Sequence, residues 1–203
     1  NHFRVGFGRA NLPQALALEP EHISSYPLTL EPHPPYNAAP PPLPDDDLGA
    51  DMHLQGLELL RTAGFTHYEV SAHARGGRRC QHNLNYWTFG DYLGIGAGAH
   101  GKHRDPATGR IRRQAKPRQP SAYLEALDRP GPIGSTWMPR DEEVVLEFAM
   151  NALRLTEGFH HRLFQRRTGL GLDRLAAPLA AAQEAGLLEV RGHWVRPTEQ
   201  GRW

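Results

Sequence analysis

With 203 residues and 39% hydrophobic content the chain can form one large or two small domains, and a formal charge of +1 sets no overall bias toward acidic or basic partners. It contains no run of about 18 apolar residues and no basic-then-apolar leader, so neither a membrane span nor a signal peptide is visible, and a soluble cytoplasmic protein is expected. Cys80 is the only cysteine, which excludes an internal disulfide framework and any cluster of Cys ligands supplied by these residues.

The small net charge conceals an uneven distribution. Residues 1–71 hold three basic and nine acidic groups, whereas residues 72–118 hold ten basic groups against Asp91 and Asp105. A positive block of this kind concentrates anions, with porphyrin propionates, phosphates and nucleic acid as candidates; a merely solvated surface connection fits the charge equally well.

In chain order, the opening Asn1 to Gly8 has no initiator Met and no capping or turn logic, and the chain is expected to be the back part of a longer protein. Leu12 to Leu18 closes a short helix, and His22 to Leu30 reads as a strand with Ile23, Leu28 and Leu30 as its apolar positions and Pro27 favouring an edge or an end. Pro32 to Pro44 holds seven prolines and must be extended. Asp45 to Gly64 has acids at its start, Leu48, Met52, Leu57 and Leu60 down one side and a terminal glycine, which marks an amphipathic helix; a strand over 67–71 follows. Strand, helix and strand in alternation predict a parallel sheet and place this half in the α/β class. Ligands of such sheets lie beyond the carboxyl ends of the strands, which puts Glu31, Ser71 and the glycine run below on one expected rim.

The stretch from His82 to His100 is the most informative. It packs an imidazole, the Tyr86-Trp87 pair and the spaced glycines Gly94, Gly96 and Gly98 into nineteen residues, and is expected to be a loop. Aromatic faces cover apolar ring area and glycines let a ligand approach the main chain, so a large planar ligand such as a porphyrin or haem fits better than a small polar substrate. As a nucleotide loop the glycine run is weak, because it lacks the dinucleotide-binding spacing. Residues 91–114 read as extended with a turn at Gly109, 119–128 as a short helix, and Pro130-Gly131-Pro132-Ile133-Gly134 as a domain boundary. Beyond it come a helix over Asp141 to Thr156 with a core stripe of Val145, Phe148, Ala149 and Ala152, a second near 160–168, a third over Asp173 to Ala185, and a β-hairpin over 187–196. Three helices and a hairpin describe a small winged-helix-like module. Leu163, Phe164 and Trp194 are expected in its core, with an exposed contact patch as the alternative.

His22-Ile23-Ser24-Ser25-Tyr26, Leu28-Thr29-Leu30-Glu31-Pro32, Tyr68-Glu69-Val70-Ser71, the His82 to Trp87 hexapeptide and Gly94 to His100 occur in one order and at compatible spacing. Together these blocks resemble the radical S-adenosylmethionine proteins related to oxygen-independent coproporphyrinogen III oxidase, most closely their haem chaperone branch, over residues 12–203. The resemblance implies the last portion of a partial (β/α) TIM-like barrel in residues 1–129 and a helical, winged-helix-like domain in residues 130–203. It also implies S-adenosylmethionine and a four-iron cluster held by a three-cysteine motif in the full-length family, and that motif is absent here.

Carried over residue by residue, the family's His-Asn-x-x-Tyr-Trp motif implies haem binding at His82, Asn83, Tyr86 and Trp87, with His82 the iron ligand, Asn83 orienting it and the two aromatics covering the ring. His100 is a second candidate ligand; Arg78, Arg79 and Lys102 are candidate propionate partners. Gly94, Gly96, Gly98 and Glu69 are implied in cofactor binding at the barrel mouth. A motif that simply closes the barrel, with Glu69 a buried structural carboxylate, is the competing reading. One departure stands out: Glu31-Pro32-His33-Pro34-Pro35 replaces the family's Glu-Pro-Gly-Thr-Pro and stiffens the turn.

Three functions compete. The first is haem binding and delivery to a recipient protein, with membrane contact only through that recipient. The second is radical oxidative decarboxylation of coproporphyrinogen. The third, nucleic-acid binding by 141–203, is disfavoured because that segment holds eight arginines, no lysine and nine acids, whereas phosphate binding needs a positive face.

Overall fold

The computed structural model describes residues 2–5, 11–27 and 43–202, with backbone alone for residues 2–5. These divide into two compact units, residues 1–80 and 81–203.

The first unit opens with β1 (His2–Val5), a strand parallel to β2 (His22–Ser25), so part of the opening stretch that lacks a readable sequence signal is a strand. Helix α1 (Asn11–Ala17) joins them and buries Leu12 and Ala15. Helix α2 (Asp46–Thr62) forms where the acids and apolar stripe predict it: the Asp45 carboxylate accepts the Leu48 N–H at 2.8 Å, and the chain leaves at Gly64, whose φ of 81° suits a residue without Cβ. Leu60 is the fully buried member of the predicted stripe, and with Leu12, Ile23 and Phe65 it forms the small core of this unit. The rest of the predicted 22–30 strand and the proline-rich stretch, Glu31 included, fall largely outside the described residues.

The expected parallel sheet is corrected to a mixed one. Strand β3 (Thr66–Glu69) ends before Val70 and Ser71, which turn the chain back into β4 (Ala72–Ala74), and the sheet order is β1-β2-β4-β3. Both β2 and β3 run antiparallel to β4, so the helical crossover still relates two strands of the same direction, with β4 inserted between them. Insertion is possible because β4 is Ala72-His73-Ala74, two small side chains flanking one imidazole, and all three are buried. A register shift between His67 and Glu69 sits at Tyr68, whose hydroxyl lies 2.8 Å from His22 Nε2 and accepts the Cys80 N–H at 3.3 Å.

The second unit begins with α3 (Gln81–Trp87), followed by an antiparallel sheet of β5 (His100–Arg104), β6 (Ile111–Ala115) and β7 (Ser135–Trp137), with α4 (Pro120–Leu127) between the last two. Then come α5 (Asp141–Ala152), the short β8 (Phe159–His160), α6 (His161–Thr168), α7 (Asp173–Glu184) and the hairpin of β9 (Leu188–Arg191) and β10 (Trp194–Pro197). Strand β8 joins the hairpin in the order β8-β10-β9. The buried stripe of α5 is Val144, Phe148 and Ala152, one residue offset at its start from the stripe predicted, with Val145 packed at its margin.

The expected boundary at 130–134 lies inside this unit. One core continues across it, joining Phe89 and Ile111 to Val144, Phe148, Phe159, Phe164 and Val195, and β7 pairs with β6 on the far side of the proline-glycine turn. The tip of the β5–β6 hairpin is also fastened to α6, through a hydrogen bond from Arg104 Nη1 to the Arg166 carbonyl at 2.7 Å. Phe164 is in the core as expected and Leu163 packs against it, but Trp194 is half exposed on the hairpin, edge-on to His160.

His73 has the least ordinary environment in the first unit. Its ring stacks on His67 at 4.4 Å, it is 4% exposed, and neither ring nitrogen has a hydrogen-bond partner among the described residues. Burial, and then the neighbouring imidazoles of His67, His53 and His22, push its pKa down to about 3. The unfolded chain takes up this proton near 6.5 and the folded chain only near 3, so the stability tied to neutral His73 is full above the first value and is lost as pH falls toward the second. His73→Leu is therefore expected to flatten the acid limb of a plot of melting temperature against pH, over a range from about pH 7 to 4.

Candidate functional site

The first part of the His82 stretch, through Trp87, is a helix and not the loop expected, whereas residues 88–99 have turns and irregular backbone. The helix's ladder continues beyond Trp87, with the Thr88 N–H on the Leu84 carbonyl at 2.8 Å and the Gly90 N–H on the Asn85 carbonyl at 2.6 Å, and it is stopped by Phe89 in a left-handed conformation with φ of 55°. At about 100° per residue, His82 and Tyr86 share one face and Trp87 sits about 140° around from His82. The structure shows this separation directly. His82 and Tyr86 meet edge to face at 4.9 Å, whereas the Trp87 ring lies under the Arg154 guanidinium at 4.3 Å with its Nε1 buried. The four motif residues are therefore not a single ligand-covering group: the imidazole and phenol are together, and the indole anchors the helix at the end of α5.

Asn83 is half-buried within the helix. The asparagine that organises the turn is Asn85, a position the motif leaves open. Its Nδ2 donates to the Asp91 carbonyl at 2.9 Å, and a Cβ at Gly90 would lie 2.0 Å from its Oδ1, so Gly90 is required for this close approach. An Asn five residues ahead of a glycine was the available sequence signal.

Phe89 is buried against Phe148 with ring centroids 5.6 Å apart, and Lys102 holds it in place. The Lys102 ammonium donates to the Phe89 carbonyl at 2.8 Å and lies 3.4 Å from the centre of the same residue's ring. Burial, followed by the nearby Arg113 charge, lowers its pKa to about 8. An ammonium 3% exposed and bonded in this way is committed to the fold, so the propionate role expected of Lys102 is withdrawn.

Tyr92 continues the ring series begun by His82 and Tyr86. Its backbone exchanges both hydrogen bonds with Lys102, at 2.8 and 2.9 Å, and its ring lies 4.8 Å from Tyr86. Its hydroxyl accepts from Arg113 Nη1 at 2.9 Å, and Arg113 forms an ion pair with Glu147 of α5. The two residues flanking the first glycine of the run are apolar and uncovered: Leu93 is 80% and Ile95 87% exposed.

The glycines have structural reasons of their own. A Cβ at Gly94 would fall 2.2 Å from the His100 carbonyl oxygen, so the close main-chain approach inferred at Gly94 is to the start of β5. Gly96 and Gly98 have φ of 100° and 70°, and the Gly98 N–H donates to the Pro117 carbonyl at 2.7 Å. His100 is exposed at the start of β5. Glu69, Arg78 and Arg79 belong to the first unit: Glu69 is 2% exposed and accepts the Ser71 N–H at 3.2 Å, Arg78 pairs with Glu21, and Arg79 lies over the Tyr68 ring. Among the described residues no helix is long and apolar enough to cross a membrane, and no group of three or more His, Cys, Asp or Glu side chains is arranged to hold a metal ion.

Comparison with known proteins places this geometry. Residues 140–203 match the HemN C-terminal domain. In a solved structure titled as coproporphyrinogen III oxidase (HemN) from Escherichia coli, a radical SAM enzyme, the similar fold covers 99% of this chain and 52% of that one with a TM-score of 0.68 at 15% identity. The fold is thus α/β and similar to that of a radical SAM enzyme. Among curated relatives, the chain is 42% identical over 194 residues to heme chaperone HemW of Escherichia coli and 40% identical over 204 residues to heme chaperone HemW of Haemophilus influenzae, with 95% of this chain covered in each. It spans about half the length of these relatives, 50% and 49%. Over this matched length the chain is similar to the HemW heme chaperones.

The glycine geometry gives a direct test of role. Gly94→Ala forces a Cβ onto backbone and is expected to lower the melting temperature markedly, whereas Gly96→Ala meets open space and carries only the conformational penalty of about 1–3 kcal/mol. Equal effects in thermal denaturation would mean that Gly94 is not packed against β5.

Proposed function

We propose that this chain supplies the haem-holding face of a haem chaperone that passes haem to a recipient protein. The observation that carries the proposal is a series of ring contacts: the exposed imidazole of His82 stands edge-on to Tyr86, and Tyr86 meets Tyr92, after which the exposed Leu93 and Ile95 follow in the chain. An available ring nitrogen beside aromatic and aliphatic area suits a porphyrin with a central metal. Haem, when bound, supplies an iron that accepts a fifth ligand. Of the residues here His82 would provide the nitrogen, Tyr86 would lie beside it, and Asn83 and Trp87 would contribute through the helix.

In this reading the first unit continues a partial (β/α) barrel, and residues 141–203 form a winged-helix-like module. Glycines 94, 96 and 98 shape the loop beside the haem, and Glu69 is assigned to cofactor binding within the first unit. The S-adenosylmethionine and four-iron cluster of the family are assigned to the part of the relatives' length beyond this chain, since Cys80 cannot by itself ligate a cluster. The same fact disfavours coproporphyrinogen decarboxylation by these residues. Neither nucleic acid nor membrane is a direct partner, and the location is cytoplasmic.

Titrating the purified chain with haemin and following the Soret band tests the proposal. Saturable binding is expected, weakened about tenfold or more in His82→Ala. Absence of saturable binding, or an unchanged curve for the variant, would overturn it.

A further inference from the structure

We infer that Tyr92 and Arg113 are positioning residues for His82, and that through them helix α5 of the C-terminal region sets the orientation of the haem-facing imidazole. This rests on the haem reading of the same surface. Neither residue belongs to the hexapeptide motif.

The contacts form an unbroken series. His82 touches Tyr86 at 4.9 Å with the rings at 69°, and Tyr86 touches Tyr92 at 4.8 Å with the rings at 46°. Beyond Tyr86, the Tyr92 side chain is held by its hydroxyl bond to Arg113, at 2.9 Å, and its backbone by the bridge to Lys102, and Arg113 is itself held by Glu147 on α5. Arg113 is 15% exposed, so the guanidinium is shielded from water and its two partners decide where it points. An exposed imidazole near the start of a two-turn helix has several rotamers open to it; packing against an aromatic ring whose own position is fixed removes some of them before a ligand arrives. The second attachment of the same helix, Trp87 under Arg154, also ends beside α5, so the helix bearing the motif is referenced to one neighbour on two of its faces.

Tyr92→Phe removes the hydroxyl bond and keeps the ring, and is the variant least disruptive to the fold; Arg113→Gln tests the same link from the other side. Two measurements decide the matter. In the chain without haem, the His82 Cε1–H resonance in proton NMR is expected to move in both variants, because the ring current from Tyr86 changes as its support loosens. In haemin titrations, Tyr92→Phe is expected to weaken binding about threefold to tenfold and shift the Soret maximum, and to have no further effect when combined with His82→Ala. An unmoved His82 resonance overturns the inference whatever haem does. So does a loss of affinity that adds fully to that of His82→Ala, since that marks a general structural effect. If the unmodified chain fails to bind haemin while the His82 resonance responds as expected, the positioning link stands and the haem reading falls.

Discussion

The ammonium of Lys102, enclosed by protein and bonded to the carbonyl of Phe89, is the contact on which the second unit depends. A phenylalanine in left-handed backbone conformation is costly, and a buried cation is costly as well. Here each offsets the other. The left-handed turn presents the Phe89 carbonyl and ring to the same point, and the ammonium satisfies one and is attracted by the face of the other. Because Phe89 is also a core residue packed on Phe148, the end of the motif helix, the edge of the β5–β6 sheet and the centre of the C-terminal core are all fixed at one residue.

From that point the helix presents its residues in different directions. Its backbone is stopped at Phe89, its indole is held at the end of α5, and its imidazole and phenol are left on a separate face, the phenol against Tyr92. A seven-residue helix has little intrinsic stability. Its order comes in part from attachments at its far end and flank, and His82 stands exposed in its first turn. An imidazole placed there can be accessible without being surrounded, provided that something outside the helix limits its rotation.

Much of the helical architecture was legible in the sequence. The acids at the start of α2 and α5, the apolar repeat along each and the glycine after α2 all produced the local structure they predict. The failures have physical causes. A strand of three residues with two alanines, such as β4, carries no alternation to detect, so the mixed sheet read as parallel. The hexapeptide read as a loop because its aromatic and amide residues are weak helix formers; tertiary anchors override that preference. His82 and Tyr86 were legible as partners through the family motif, but the different orientation of Trp87 is set by Arg154, more than sixty residues away in sequence. Nothing in the local sequence reveals that Lys102 is buried, since a lysine in a basic block reads as solvated until the carbonyl that receives it is known.

The proline-glycine turn at 130–134 has the composition of a linker, yet the strands on either side of it remain paired: β7 is bonded to β6, and the core beneath them continues from Ile111 to Val144. A protease that cleaves this turn therefore nicks the molecule without dividing it. The two pieces would migrate separately under denaturing conditions and together under native ones.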